Sequence, residues 1–466
     1  MAALSTAVAA HGQTVLYVDD DAPPGGNGRS WNEAFDDLQD ALWLASFVQD
    51  RIEIRIAEGI YTPDRGTGIR EATFMIDSTV VGSVTSGATG GFGLALRGAF
   101  AGVRALDPNE RDTHRFKSVL SGDLNGDDLP GFVNYDDNSY RIMQVQGVNG
   151  PGVELDGLVF RSGNANGRGQ GAALLLAGSN VNVLDCVFVE NRALHGGAVT
   201  LFGGDPIFER CFFGQNRAIT HGGAIMAWTN GLILNSVFSG NSAGSSGGAI
   251  RNNQNIRVSG CTFYGNVARI LGGAFQSSDQ SPTLSNSVFF GNMPNPIAHH
   301  NRSNITVSYS NVENGYPGVG NIDGDPLFTD PLGKDGILGT PDDNFLPRFG
   351  SPVIDAGSNF EVFSPQNPVY AGQPRIVDDR FTPDTGVGTG PIVDMGAYEF
   401  QTPTCYADLD QTTGVGVLDL FDFLRFQGLF VFNDPLACQV DRSTGPNHCD
   451  IFDFLAFQAE FVSGCP

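Results

Sequence analysis

Between Val181 and Asn292, short apolar runs alternate with turn-forming residues and return at a fixed interval. Phe188, Phe213, Phe238, Phe263 and Phe289 each open a Phe-x-x-Asn unit, closed by Asn191, Asn216, Asn241, Asn266 and Asn292; successive phenylalanines lie 25, 25, 25 and 26 residues apart. Gly-Gly-Ala recurs between them at Gly196–Ala198, Gly222–Ala224, Gly247–Ala249 and Gly272–Ala274. A small side chain stands two residues before each Phe: Cys186, Cys211, Ser236, Cys261 and Ser287. A constant period with several phased positions marks a solenoid.

Val183, Leu184, Cys186 and Phe188 read as a short strand with near-alternating inward residues, and no run in the array has helical spacing. Gly-Gly breaks a helix but suits a sharp corner. Short strands, one lap per repeat and no hairpin signal predict a parallel β-helix whose coils stack about 4.8 Å apart. The phenylalanines then form an internal stack. The asparagines form a corner ladder that satisfies turn backbone otherwise buried without partners.

The flanks are less regular. Thr14–Asp20 and Arg51–Tyr61 read as strands, the latter alternating Ile52, Ile54 and Ile56 against Glu53 and Arg55. Ser30-Trp-Asn-Glu33 has the form of a capping box, with Phe35, Leu38, Leu42 and Ala45 at helical spacing behind it. That predicts an N-terminal helix covering the open end of the solenoid, where strand edges and apolar interior would otherwise be exposed. Phe92–Phe100, Ser118–Leu120, Arg141–Val145 and Val153–Phe160 read as further strands, with insertions at corners between them. The regular coils are expected over about 153–312, and Tyr316–Phe400 is expected to supply closing coils and loops of the same domain.

Glycine, 62 of 466 residues, fits tight coils. A formal net charge of −25 argues against nucleic acid or an anionic membrane as partner, and favours divalent cations or a basic or neutral ligand. Lys117 and Lys334 are the only lysines, which leaves little for a lysine-based mechanism. No stretch is apolar and long enough to span a bilayer. Met1–Ala10 is small and apolar and ends in an Ala-x-Ala-like run, so residues 1–13 look like the remainder of a secretory signal; a disordered leader is the alternative.

Residues 401–466 hold an internal duplication. Asp419-Leu-Phe-Asp-Phe-Leu-Arg-Phe-Gln427 recurs as Asp450-Ile-Phe-Asp-Phe-Leu-Ala-Phe-Gln458, 31 residues on, and each copy follows an acidic loop beginning at Asp410 or Asp441. Alternating oxygen side chains, a Gly turn and a carboxylate opening a short helix suit a hard cation such as calcium. The pair, with its Gly464-Cys465-Pro466 ending, resembles the dockerin variant of planctomycete secreted proteins. That resemblance implies a docking module whose calcium ligands would be Asp410, Thr412, Asp419 and Asp422, then Asp441, Ser443, Asp450 and Asp453. Two departures weaken the match: Asp410 to Asp422 is one residue longer than the standard loop, and Thr412 and Ser443 replace acids. Solvated acidic turns around an aromatic mini-core are the plain alternative. Cys405, Cys438, Cys449 and Cys465 all lie here, where a thin core gains from cross-links; Cys405–Cys465 with Cys438–Cys449 is the favoured of three connectivities. Cys186, Cys211 and Cys261 are read as buried small side chains.

"YVDDDAPPGGNGRSWNEAFDDLQDAL", "IRIAEGIYTPD", "GSPVIDAG" and "VDMGAYEF" resemble bacterial right-handed β-helix proteins with a C-terminal surface anchor (the choice-of-anchor type). The Gly-Gly-Ala/Phe-x-x-Asn repeats are similar to those of polymorphic outer-membrane adhesins. The resemblance spans about residues 14–400. It implies an all-β, right-handed parallel β-helix and secretion to the cell surface.

Candidate chemistry is sparse. His195 and His221 both precede a Gly-Gly corner, and a stacked pair there could bind a metal or act as acid and base; Ser246 and Leu271 follow at that position, which favours plain corner decoration. Asp205 and Glu209 form a conceivable hydrolytic carboxylate pair. Asp123-Leu-Asn-Gly-Asp127 is an oxygen-rich loop in which Asp123, Asn125 and Asp127 suit a structural calcium, and Asp335–Asp343 is another; Asx turns explain both equally well. The motifs of β-helix pectin hydrolases and lyases are not recognisable. The preferred expectation is a surface-attached β-helix for adhesion or glycan binding, held by an anchoring partner of the C-terminal module. The alternative is a polysaccharide lyase or glycoside hydrolase acting on an acidic glycan.

Overall fold

The computed structural model describes residues 13–48, 50–81, 93–148, 152–278, 280–300, 303–363, 369–379, 382–401, 420–431, 453–455, 457–458 and 461. Each regular coil contributes four short strands, exemplified by Val181–Leu184, Val187–Val189, Arg192–His195 and Val199–Phe202. Stacking the coils builds four parallel sheets, numbered here in chain order within a coil. The first has ten strands, from Gln13–Val18 to Thr306–Ser308, and the second nine, from Gly59–Tyr61 to Asn311–Val312. The third has five, from Asn164–Gln170 to Val267–Ala268, and the fourth eight, from Phe74–Asp77 to Ile297–His300.

Register is fixed by identity. Phe188, Phe213, Phe238, Phe263 and Phe289 are direct partners from strand to strand. Their rings stack 4.6–4.8 Å apart within 6° of parallel, and Phe160 adds a rung 4.9 Å before Phe188. The spacing equals the strand separation of a sheet, so each aromatic face meets the next with no gap to fill. A slip of one residue would turn every Phe outward.

The asparagine ladder does what its spacing predicts. Each side-chain oxygen accepts the backbone N–H of the Asn one coil earlier: Asn216 from Asn191, Asn241 from Asn216, Asn266 from Asn241 and Asn292 from Asn266, at 3.0–3.2 Å. Each Nδ2 from Asn216 onward donates to the carbonyl of the preceding coil's Phe at 2.8 Å. The asparagines are buried, so without this exchange one donor and one acceptor per coil would go unpaired. Cys186, Cys211 and Cys261 are fully buried free thiols donating to carbonyls of the previous coil, which bears out the small-side-chain reading.

At the N-terminal end, Leu38, Ala41, Leu42 and Ala45 of the helix Leu38–Ala45 join the same core as Leu16, Val18, Ile54 and Phe74. The capping-box expectation needs correction. Ser30 makes no side-chain cap, and Trp31–Glu33 is a short 3₁₀ turn. The cap is Asp37, whose carboxylate accepts from Gln39 N at 2.6 Å. Trp31 instead packs on Tyr17 and Phe100, which diverts the chain before the helix begins.

After Val312 the structure departs from closing coils. A hairpin, Phe328–Asp330 with Asn344–Pro347, and the irregular chain to Phe400 lie along the outer face of the second sheet. Outward-facing Val187, Phe212, Val237 and Val288 pack against Phe328, Phe345, Val353, Met395 and Tyr398. Polar contacts fasten the wrap: Gln215 Nε2 to Leu338 O (2.8 Å), Ser239 Oγ to Asp343 Oδ2 (2.7 Å) and Ala397 N to Thr262 Oγ1 (3.0 Å). The physical reason is burial: this sheet is apolar on both faces, as parallel sheets covered on both sides are.

In the C-terminal duplication, helix Leu420–Val431 and residues 453–455 and 457–458 are helical. Phe426 and its repeat counterpart Phe457 stack at 3.9 Å. Phe423–Phe457 (6.2 Å) mirrors Phe426–Phe454 (6.0 Å), and Phe423–Phe461 mirrors Phe430–Phe454, both 5.9 Å. Reciprocal contacts of this kind are the mark of a two-fold, here within one chain.

Candidate functional site

The Gly-Gly pairs explain the shape of the surface. Gly196 has φ +55, and a Cβ there would collide with Val199 O and the Thr200 hydroxyl; Gly222 and Gly247 are placed alike against Ile225 O and Ile250 O. A Cβ on the second glycine of a pair would strike the next coil, Gly197 against Gly223 O and Gly223 against Gly248 O. Val199, Leu201, Ile225 and Ala227 face the core, so Thr200, Phe202, Met226 and Trp228 leave the outer face of the fourth sheet. The third-sheet arm therefore folds toward that outer face, and the corner is concave. Glycine is required because backbone from two coils and side chains from two sheets converge there.

Two aromatic side chains form a platform beside this corner. The rings of Phe202 and Trp228 lie 4.7 Å apart and within 3° of parallel. Phe202 is 38% exposed and Trp228 partly so. Asn253 fixes the indole by accepting from Nε1 at 2.9 Å, with its amide turned to do so. Across the corner, His195 and His221 pair in register, stack at 5.6 Å, and bring His195 edge-on to Trp228 at 6.2 Å.

Hydrogen bonding sets the state of the first histidine. Thr220 Oγ1 donates to Leu194 O at 2.6 Å, so its lone pairs face His195 Nδ1, which must carry the proton. The lone pair of His195 then sits on Nε2. His221 Nδ1 contacts Ser246 Oγ at 2.9 Å, and Arg251 donates to the same oxygen at 3.3 Å. Burial lowers the pKa of His195; burial, then Arg251 and His195, lowers that of His221 to about 4. Both rings are neutral at pH 7.

Asp205 and Glu209 are not brought to this corner. Asp205 is exposed in the turn between the fourth and first sheets, and Glu209 lies on the first sheet, 3.3 Å from Arg210. A cleft of about 350 Å³ near that edge is lined by Arg111, Asp185, Arg210 and Tyr370, among others. Its arginines are already engaged, Arg111 with Asp156 at 2.6 Å and Arg210 with Asp185 through two bonds of 2.8 Å.

Of the oxygen-rich loops, the structure gathers carboxylate oxygens of Asp123, Asp127 and Asp137 within 4.8 Å of one another, in the same loop as Asn125. Asp123 also accepts amide hydrogens from Gly126, Asp127 and Asp128, an Asx-type loop. In the second loop Asp342 and Asp343 accept local amides and hydroxyls, and Asp343 holds Ser239. In the duplicated module Asp422 and Asp453 occupy equivalent, fully buried positions. Asp410, Thr412, Asp419, Asp441, Ser443, Asp450 and the four cysteines Cys405, Cys438, Cys449 and Cys465 lie outside the described residues, as does the leader 1–12.

The histidine pair was visible in sequence, but Phe202, Trp228, Arg251 and Asp137 were not singled out. A usable signal existed for the aromatics: each stands seven residues after its coil's histidine.

Comparison with known proteins agrees with this architecture. The family described as "Right handed beta helix region" matches residues 148–327. One similar solved structure is that of pectate lyase Pel9A, with 15% identity, coverage of 84% of this chain and 97% of that one, and a TM-score of 0.38. No curated protein matches. The chain is a right-handed parallel β-helix protein. No helix among the described residues is long and apolar enough to cross a membrane.

Proposed function

We propose that the protein binds a polysaccharide chain along the concave corner between the third and fourth sheets, and is held at the cell surface by its C-terminal module. The observation that carries the reading is the coplanar, solvent-facing pair Phe202–Trp228. Coplanar rings on successive coils offer a flat apolar strip to the faces of sugar rings, with polar groups beside it to fix orientation. His195 Nε2 as acceptor and Arg251 as donor supply those groups. Neutral histidines keep the strip from carrying extra positive charge, and a net charge of −25 disfavours strongly anionic chains at low salt.

For the module, the reciprocal aromatic contacts and the equivalent burial of Asp422 and Asp453 support two matched calcium-loop helices acting as one docking unit. Calcium there would be structural.

A second reading, polysaccharide lyase, is favoured by one feature: a neutral His195 whose tautomer leaves Nε2 basic at the platform. The test is affinity electrophoresis of the full chain against xylan, a mixed-linkage β-glucan and polygalacturonate, with and without calcium, alongside absorbance of unsaturated ends. Retardation without product supports binding alone, unsaturated product supports the lyase, and neither result with any polymer contradicts both.

A further inference from the structure

Trp43 is the tryptophan that neither the core nor the platform uses. Trp31 is buried in a tertiary cluster and Trp228 belongs to the platform, whereas Trp43 is 64% exposed on the capping helix. That helix seats on the core through Leu38, Ala41, Leu42 and Ala45, so closing the solenoid does not require the indole. Phe47 meets it edge-on, with ring centroids 4.9 Å apart, and is itself exposed. Two large aromatics in contact on an exposed surface point to something that covers them.

Beside Trp43 lies an open hollow of about 740 Å³, within the size range of small-ligand sites, lined also by Asp40, Asp64, Arg65, Thr67 and Ile69. Its walls are held in place. Gln39 Nε2 donates to Pro63 O at 2.9 Å and to Thr73 O at 3.1 Å, which ties the helix to both ends of the facing loop. Asp64 Oδ2 accepts from Gly68 N at 2.7 Å within that loop. Asp64 is 4% exposed, and its Oδ1 has no hydrogen-bond donor among the described residues, which is costly for a buried acceptor. Arg65 pairs with Asp40 at 2.6 Å and lies 3.7 Å from Asp37, so the cationic position is already taken. An anion would meet Asp40 and Asp64 in a chain of net charge −25. A neutral molecule with an apolar face and several hydroxyls suits both halves of the lining. Its face covers the indole, and its hydroxyls donate to Asp64 and meet the Arg65–Asp40 pair.

We propose that this hollow is a second sugar subsite, taking a neutral residue of the same polysaccharide chain that lies on the Phe202–Trp228 platform. The inference rests on the polysaccharide-binding reading above. Position supports the link. Ile69 and Ala72 of the hollow stand just before Phe74–Asp77, the first strand of the fourth sheet, as His195 stands just before Val199–Phe202. Three strand spacings, about 14 Å, separate those two strands. A chain of several sugars is needed to reach from one subsite to the other. Joining both on one chain raises affinity through effective concentration, with no new contact required.

The experiment is isothermal titration calorimetry of the full chain with mixed-linkage β-glucan and with xylan, comparing the wild type with Trp43→Ala, Trp43→Phe and Trp228→Ala. Trp43→Ala should bind the polymer that the wild type prefers about tenfold more weakly, and Trp43→Phe should recover most of that loss, with melting temperatures unchanged. Wild-type affinity in Trp43→Ala would overturn the subsite, and the platform would still stand if Trp228→Ala binds weakly. Weak binding in Trp43→Ala with full affinity in Trp228→Ala would place sugar binding at the hollow alone and overturn the two-site arrangement. Equal losses in Trp43→Ala and Trp43→Phe, with lowered melting temperatures, would assign Trp43 a structural role and overturn the subsite. Binding of neither polymer by the wild type would overturn both sites.

Discussion

Asn241 completes the backbone of Asn216: its side-chain oxygen accepts the Asn216 N–H at 3.1 Å, while its Nδ2 donates to Phe213 O at 2.8 Å. The same Nδ2 also donates to Asn266 Oδ1 at 2.9 Å, so one amide binds three successive laps of chain. Asn241→Ala leaves a buried N–H and a buried carbonyl unpaired, and should cost about 3 kcal/mol. Urea denaturation checks this, and a loss below about 1 kcal/mol would mean that water or relaxation replaces the ladder.

The phenylalanine file makes a parallel claim about packing. Phe238 lies between Phe213 and Phe263 at 4.6 and 4.7 Å and is fully buried. Phe238→Ala should cost about 3–5 kcal/mol, and Phe238→Leu much less, since it keeps most of the volume. Denaturation of the two variants side by side gives the comparison.

The glycines divide by surroundings. A Cβ on Gly223 would strike Gly248 O, whereas one on Gly167 meets nothing within 4 Å and bears only the cost of φ +76. Gly223→Ala should therefore lose about 3 kcal/mol and Gly167→Ala about 1 kcal/mol. Thermal melts of both variants would reveal the ordering.

Much of this was legible in sequence because a solenoid writes each contact many times. Phe188, Asn191 and Gly196 each recur at one phase, so column, ladder and corner could be read without coordinates. The wrap was not legible as such, because it contacts the array without repeating. Its trace was present nonetheless: Val187, Phe212, Val237 and Val288 flank the inward phenylalanines, so the strand is apolar on both faces and needs a cover. Asp205 and Glu209 are near in sequence but differ in setting: Asp205 is exposed in the turn, whereas Glu209 ends a first-sheet strand, buried beside Arg210. Ser30 misled through local pattern, since Trp31 is drawn into a tertiary cluster before the helix starts.

The histidines give a pH prediction. His221 has a folded-state pKa of about 4 against an ordinary value near 6.5, so between these values the unfolded chain binds a proton that the folded chain does not. Stability therefore falls as pH drops from about 6.5 towards 4. His221→Asn should flatten that part of the curve, and melting temperatures at half-unit pH steps measure it. An unchanged slope would place the acid sensitivity elsewhere.

The most direct test of the functional account is the affinity of Trp228→Ala and Phe202→Ala for a polysaccharide that retards the wild type, measured by isothermal titration calorimetry. The platform predicts at least about tenfold weaker binding for Trp228→Ala, consistent with the loss of one stacked ring worth ~1.5 kcal/mol, and a smaller loss for Phe202→Ala. Wild-type affinity in both variants, with melting temperatures unchanged, would contradict a glycan site at this corner.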